Sequence, residues 1–376
     1  MQTKCDILIL TANFGSGHKS VSNAIKSYIN DVDRDVNIQI VDMYQIIRPN
    51  LYKYIYKGFG LLIKYGTPIY NLDYYKKNNN DNFGKLHSCY KSSSKRLARY
   101  LEDVQPSIVI STFPTCSAYI TKYKNDENVS IPLITCITDI VKGSEWLHEG
   151  NDMYLVATDS VKKSLVDRGI REDSVITTGI PIRQEFLEDK NIQNLKKEYK
   201  ILQDDFVVLM MGGGLGLIPK EVSFYNWIAS NKQIKLYIIT GNNTDLYNQI
   251  SKYNEYDNIN ILKYTNKVAD IMAVTDLLIT KPGGITLFES IASNLPFIIY
   301  KPVLGQELEN CRYIEEKELG YVVYNDKELI DKISLVMNNE NIRYKMLRSI
   351  EKEKKNIDMQ SLTNNIMAVY NKHLLR

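Results

Sequence analysis

The chain has 376 residues, of which 44% are apolar and 24% charged, with a formal net charge of +3. That is an ordinary soluble, globular composition, long enough for two or three domains with buried cores. No apolar run approaches the ~20 residues of a membrane span. The five cysteines carry no CxxC pair, which argues against a disulfide framework or zinc site and fits a reducing compartment.

The N-terminus, "MQTKCDILIL", runs directly into an apparent strand and does not read as a signal peptide. The expectation is a cytoplasmic chain. Strands are predicted at 6–11, 37–41, 107–112, 133–138 and 153–157, then at 206–211, 235–240, 260–263, 277–280, 297–300 and 321–324. Amphipathic stretches separate most of them, and strands alternating with helices imply parallel sheets with crossover helices. Eleven strands are too many for one sheet, so the expected fold class is α/β with two doubly wound domains. The natural seam is "TTGIPIRQEF" at 177–186, followed by a charged helix. This sets the domains at 1–183 and 184–376, with the last helix free to pack back on the first domain.

The first strand ends in "TANFGSGHKS". A phosphate-binding GxxxxGK[ST] loop fails here, because His18 separates Gly17 from Lys19. A dinucleotide GxGxxG is half met: Gly15 and Gly17 fit, Ser20 takes the third place, and Asp42 ends the second strand where a ribose-binding acid would stand. The geometry still points to a ligand crevice, with two glycines for close backbone approach and a titratable ring at a strand's carboxyl end. "DVDRD" at 31–35 contains an Asp-x-Asp, but it lies in a polar link away from those ends and reads as a solvated loop. No cluster has zinc spacing, so no metal is expected.

Residues 48–101 hold eleven Lys/Arg against two Asp/Glu, and nine of the 27 tyrosines. Interleaved basic and aromatic residues suit an anionic membrane surface or a nucleic acid. The plainer alternative is a set of solvated helices with tyrosines turned inward. "YKKNNNDNFGK" at 75–85 reads as a polar loop.

In the second half, "VVLMMGGGLG" places Gly212, Gly213 and Gly214 after a buried strand, again suited to close ligand approach. "DLLITKPGGITLFESIASNLPFIIYKPVLGQELEN" at 276–310 is the most specific stretch. Pro282, Gly283 and Gly284 open a helix whose N–H groups and dipole suit a diphosphate, with Thr286 in its first turn. Glu289, the one charge in an otherwise apolar helix, can take two adjacent ribose hydroxyls. Gln306, Glu307 and Asn310 follow the next strand as a sugar-sized set of donors and acceptors.

These motifs resemble the monogalactosyl- and glucosyl-diacylglycerol synthases, over nearly the whole chain. The marks are "LTANFGSGH", "STFP", "TDIVKGSEWLHEGNDMYLVATDSVKKSLVDRGI", "TGIPIRQEF", "MGGGLG", "TGNNT" and "TKPGGITLFESIASNLPFIIYKPVLGQELEN", and the chain looks most like the bacterial processive diacylglycerol β-glucosyltransferases. The resemblance implies two Rossmann-like domains facing across a cleft, of GT-B type. It implies inverting transfer of glucose or galactose from a UDP-sugar to diacylglycerol, without a metal or other cofactor. Glu289 would hold the ribose, and Gly213, Gly214 and Pro282 to Thr286 would hold the diphosphate. Gln306, Glu307 and Asn310 would lie near the sugar and phosphates, and Tyr264 near the uracil. His18 would line the cleft as base, with Asp139 as rival or orienting partner. Trp146 and His148 belong to the acceptor side, with Gly15 and Gly17. Relatives place a histidine where Gly143 stands. Lys53, Lys57, Lys64, Lys95, Arg96 and Arg99 would dock on anionic headgroups, with the segment 58–66 dipping into the interface. The protein would then be peripheral on the inner face of the cell membrane, and nucleic acid is not an expected partner. The alternatives are a UDP-sugar enzyme with another acceptor, and a non-catalytic UDP-sugar-binding regulator.

Overall fold

A computed structural model describes residues 4–65, 71, 90–140, 144–213 and 216–375, without the side chains of 64, 65, 90–92, 144 and 306. The Asn-rich loop at 75–85, Gly143, Gly214 and the side chains of Lys64 and Gln306 lie outside the described residues. The chain divides into two compact units, Met1–Arg183 with Asn356–Arg376, and Gln184–Lys355.

In the first unit the order is β1 (Ile7–Thr11), α1 (Ser16–Val32), β2 (Ile38–Asp42), α2 (Met43–Ile47), α3 (Tyr52–Tyr65), α4 (Tyr90–Val104), β3 (Ile108–Ser111), α5 (Pro114–Glu127), β4 (Leu133–Cys136), β5 (Met153–Val156), α6 (Asp159–Val166) and β6 (Val175–Thr177). The six strands form one sheet, ordered β2-β1-β3-β4-β5-β6, in which every pair is parallel. β1 is an unbroken apolar run because helices cover both faces of such a sheet, and its Ile7 to Leu10 are fully buried. β6 was missing from the sequence expectation. It is only three residues long and adjoins the Gly/Pro seam, so no periodicity marks it.

The second unit runs α7 (Ile192–Glu198), β7 (Phe206–Met211), α8 (Val222–Ser230), β8 (Ile234–Ile239), α9 (Thr244–Ile250), β9 (Ile259–Leu262), α10 (Val268–Ala273), β10 (Leu277–Thr280), α11 (Gly284–Ala292), β11 (Phe297–Tyr300), α12 (Gly305–Glu316), β12 (Gly320–Val323), α13 (Asp326–Asn338) and α14 (Glu340–Lys354). Its sheet is ordered β12-β11-β10-β7-β8-β9, also with every pair parallel. The last helix, α15 (Met359–Leu374), packs on α1 and β3, and Asp358 N–H donates to Thr178 O at 3.0 Å. Residues 356–375 therefore pack with the first sheet.

Strand order reverses between β1 and β3 in the first sheet and between β7 and β10 in the second. Ligands of open α/β sheets bind outside the carboxyl ends at such reversals. Among the described residues no helix is long and apolar enough to cross a membrane.

Candidate active site

The first reversal holds His18. Gly15 caps α1 at φ 135 and ψ 164, a conformation open to glycine alone, and this turns the chain so that α1 begins at once beside β3. Nδ1 of His18 lies 2.9 Å from Thr112 O and 3.0 Å from Thr138 Oγ1. A carbonyl can only accept, so Nδ1 carries the proton in the neutral ring and the lone pair is on Nε2. Ser22 Oγ closes the same corner, donating to His18 O at 2.9 Å and lying 3.0 Å from Thr112 Oγ1. The ring also meets Phe113 edge-on, with centroids 5.0 Å apart. Asp139, half-buried, directly follows Thr138, so chain continuity brings the two predicted catalytic residues to one strand-end cluster.

Phe14, which the sequence did not single out, organises the opening turn. Its ring stacks on Phe113 at 5.2 Å and meets Tyr44, Tyr56 and Phe59 edge-on at 5.1, 4.8 and 4.8 Å. Tyr56 OH donates to Asp42 at 2.6 and 2.7 Å from its two oxygens and accepts from Asn13 N–H at 3.0 Å. Burial, first, and the Asp42 carboxylate push the Tyr56 phenol well above its usual range. Asp42 also caps α2 through Tyr44 N–H at 2.9 Å. Its carboxylate is thus engaged in holding α3 and α2, which corrects the ribose-binding alternative. The Asp-x-Asp likewise serves locally: Asp33 Oδ1 accepts from Asp35 N–H at 3.0 Å. No group that could hold a metal occurs among the described residues.

Trp146 and His148 correct the expectation of acceptor or membrane contacts. They are 2% and 7% exposed, inside the first unit. The Tyr154 hydroxyl bridges the His148 backbone, accepting from N–H at 3.2 Å and donating to O at 3.3 Å. Burial pushes the His148 imidazole down to about 4. Lys53 and Lys57 are exposed on α3 beside the exposed Leu51, Tyr54, Leu61 and Leu62. Lys95, Arg96 and Arg99 are all exposed on α4, and Arg96 and Arg99 also line a recess between α4, α2 and β2.

The second reversal assembles the other predicted group. Gly213, at φ +62, follows β7 in a turn, and Pro282 to Gly284 lead from β10 into α11. α11 has no side-chain cap and no acidic residue in its first turn, so its positive dipole end is not offset by a carboxylate of that turn. Thr286 is half-buried in that turn, and Glu289 is 7% exposed further along the helix. Tyr264 is 70% exposed after β9.

Lys281 is the residue that the sequence reading missed. A Cβ built on Gly213 would stand 2.8 Å from Lys281 Cδ, and one on Gly283 would stand 3.4 Å from its Nζ. The ammonium therefore lies across the mouth formed by both turns. Its position between a buried strand and Pro-Gly-Gly was the available signal. Nζ is 3.4 Å from Glu307 Oε1, while Glu307 Oε2 accepts from Val303 and Leu304 N–H at 3.2 and 3.3 Å. Asn310, fully buried, donates Nδ2–H to Pro282 O at 2.7 Å. Glu307 and Asn310 thus brace the turn at Lys281 and Pro282 and the start of α12.

The monogalactosyldiacylglycerol (MGDG) synthase family profile matches residues 18–182, and the glycosyltransferase family 28 C-terminal domain profile matches 207–361. The processive diacylglycerol β-glucosyltransferase of Bacillus subtilis (strain 168) is 31% identical over 357 residues, covering 93% of this chain and 92% of the relative. That of Bacillus licheniformis is 32% identical over 372 residues, covering 97% and 93%. Among solved structures, the Staphylococcus aureus MnaA–UDP co-structure has a TM-score of 0.64 at 13% identity, covering 98% of this chain and 97% of that one. Anabaena Alr3699/HepE in complex with UDP has a TM-score of 0.56 at 12% identity, covering 98% and 100%. These structures share the fold, two parallel α/β sheets of GT-B type. With matches of this length and identity spanning both units, the chain belongs to the family of the processive diacylglycerol β-glucosyltransferases.

Proposed function

We propose that the protein transfers a hexose, glucose by the names of its relatives, from a UDP-sugar to diacylglycerol at a membrane surface, with inversion. The observation that supports this reading is the pair of strand-reversal corners, one with Lys281 beside the Gly213 turn and the start of α11, the other with His18 held through Nδ1. In the second unit, Lys281, the Gly213 turn and the N-terminus of α11 supply positive charge and N–H donors to the departing diphosphate. Glu289 takes the ribose hydroxyls, and Tyr264 meets the uracil. In the first unit, the acceptor hydroxyl attacks the anomeric carbon, the bond from that carbon to the phosphate oxygen breaks, and His18 Nε2 takes the proton. Asp139 favours the imidazolium that results. Charge on the leaving group is met by Lys281 and the helix end, so the reading requires no metal.

Access to a bilayer-bound acceptor falls to α3. Its exposed Tyr54, Leu61 and Leu62 would enter the interface while Lys53, Lys57 and Lys95 meet anionic headgroups, each cation contributing about 1 kcal/mol near the surface. The inner face of the cell membrane is where a UDP-sugar and diacylglycerol meet. The test is purified protein with labelled UDP-glucose or UDP-galactose, diacylglycerol vesicles with and without anionic lipid, and chelator. Lipid-extractable label that survives the chelator and rises with anionic lipid is expected. UDP-sugar binding without any glycolipid product would sink the reading.

A further inference from the structure

α3 carries two apolar faces. Tyr56, Phe59 and Ile63 share one side at helical spacing, where Ile63 is buried and the two rings meet Phe14. Tyr54, Leu61 and Leu62 share the opposite side and are exposed. The helix between these faces is weak by composition. At 14 residues it is in the range where an isolated helix is marginal. Its first turn holds no acidic residue to answer the dipole. Gly58 and Gly60 stand in its interior on either side of Phe59, and a Cβ at either would meet nothing within 4 Å. Packing requires neither glycine, so each only lowers the stability of the helix. α3 is weakest where it grips Phe14.

From Phe14 the contacts lead to the base. Its ring stacks on Phe113, with centroids 5.2 Å and planes 20° apart, and Phe113 meets the His18 ring edge-on at 5.0 Å and 81°. Thr112 O and Thr138 Oγ1 both lie on Nδ1, which pins one side of the imidazole. The ring can still rock about that side, and the Phe113 ring limits where Nε2 points. The backbone runs the same way: Phe14 adjoins Gly15, which caps α1, and Phe113 adjoins Thr112, whose carbonyl accepts from Nδ1. Phe14, Tyr56, Phe59, Phe113 and His18 are all half-buried, so the stack lies near the surface and not in the core. Among the described rings that meet Phe14, Tyr56 and Phe59 belong to α3, Tyr44 to α2, and Phe113 to the turn after β3.

We propose that Phe14 is a positioning residue for the base: it aligns His18 through Phe113, and does so only while α3 is helical and packed against it. The inference rests on the proposed function, in which α3 enters the bilayer interface. A surface that buries Tyr54, Leu61 and Leu62 favours the helical state, because those side chains line up only in a helix. The ordered helix presses Tyr56 and Phe59 on Phe14, and Phe14 on Phe113. The imidazole then holds the pose in which Nε2 meets the acceptor hydroxyl. Away from a bilayer the same corner is loose and the base is idle. α3 is the two-state element, and the ring stack is its link to the base.

Two changes separate these parts. Gly58→Ala with Gly60→Ala stiffens α3 without a bilayer, favouring the helix by roughly 15- to 30-fold on the propensity difference between glycine and alanine. Phe14→Leu keeps apolar bulk and removes the ring. Activity is measured with labelled UDP-glucose on diacylglycerol in anionic vesicles, and on a short-chain diacylglycerol dissolved below its micelle concentration. Amide hydrogen exchange is followed in α3 and at residues 16–22, which carry His18. The alanine pair should raise kcat on the dissolved acceptor toward the vesicle value, and slow exchange in α3 and at 16–22 alike. In the Phe14→Leu background the same pair should slow exchange in α3 alone and add nothing to kcat. Phe14→Leu by itself should lower kcat on vesicles by about 10- to 100-fold, the cost of a misplaced group, with KM for UDP-glucose and sedimentation with vesicles unchanged. A gain from the alanine pair that is the same with and without the Phe14 ring overturns the inference. So does a Phe14→Leu loss confined to KM for diacylglycerol, which would make Phe14 part of the acceptor seat. Equal kcat on vesicles and on the dissolved acceptor overturns it as well, while the glucolipid formed leaves the proposed function standing. If no glucolipid forms on any acceptor, the proposed function fails, and exchange at 16–22 still decides whether α3 reaches His18 through Phe14.

Discussion

Lys281 Nζ stands 3.4 Å from Glu307 Oε1, joining the turn after β10 to the first turn of α12. Glu307 is buried and also grips the Val303 and Leu304 amides, so the lysine is aimed by a carboxylate that is itself held in place. A phosphate oxygen beside the Gly213 turn would gain a charge-assisted bond from this ammonium. Such bonds are worth about 1.5–3 kcal/mol, or roughly 10- to 100-fold in affinity. Lys281→Met should therefore weaken UDP binding by that factor in a calorimetric titration. Uridine, which lacks the phosphates, should bind with unchanged affinity. Equal weakening of both ligands would assign Lys281 to the fold of the turn and not to the diphosphate.

His18 is fixed by two oxygens on the same nitrogen, Thr112 O and Thr138 Oγ1. General base catalysis contributes roughly 10²–10⁴-fold. His18→Ala should lower kcat by about that much while the affinity for UDP-sugar, read in the other unit, stays as it was. Thr138→Val keeps the Thr112 bond and removes only one contact, so its kcat should fall by less than about tenfold. A His18→Ala enzyme that retains more than about a tenth of kcat would pass the role of base to Asp139.

Both reversal sites were legible because glycine and proline mark strand ends and because apolar runs mark buried parallel strands. "TKPGGITLFES" carried the Pro-Gly-Gly turn, the helix start and Glu289 in one stretch. What could not be read was which way each polar side chain faces. Glu307 and Asn310 have the right chemistry for a sugar, yet helix capping and the Pro282 carbonyl claim them. Trp146 and His148 lie among motif residues, yet packing buries both. Phe14 was illegible for the opposite reason. Its partners Tyr44, Tyr56, Phe59 and Phe113 are dispersed in sequence and meet only once β1, β2 and β3 are side by side.

Tyr56→Phe should separate the two ways α3 is held. The ring contact with Phe14 survives, while the bonds to Asp42 and from Asn13 N–H are lost. Leaving a half-buried carboxylate with one donor fewer costs about 1–3 kcal/mol. Hydrogen exchange of α3 amides should therefore speed up, while those of the second unit keep their rates. Vesicle-dependent activity should fall more than UDP-sugar hydrolysis or UDP binding. Unchanged protection of α3 would mean that the aromatic cluster alone holds the helix.

His148 gives the first unit an acid limit. In the unfolded chain an imidazole titrates near ~6.5, and in the folded chain burial holds this one at about 4. Above pH 6.5 both states carry a neutral ring and the residue makes stability no more pH-dependent. As the pH falls through 6.5 the unfolded chain takes up a proton that the folded ring refuses, so stability declines, and the decline levels off near pH 4. The full loss amounts to about 3 kcal/mol. Trp146, two residues away and buried, reports on this region, and a Trp227→Phe background removes the other tryptophan from the signal. Denaturant unfolding followed at Trp146 should show stability dropping between pH 6.5 and 4, and His148→Asn should flatten that slope even where it lowers stability at neutral pH. A slope unchanged by the substitution would place the acid sensitivity on other groups.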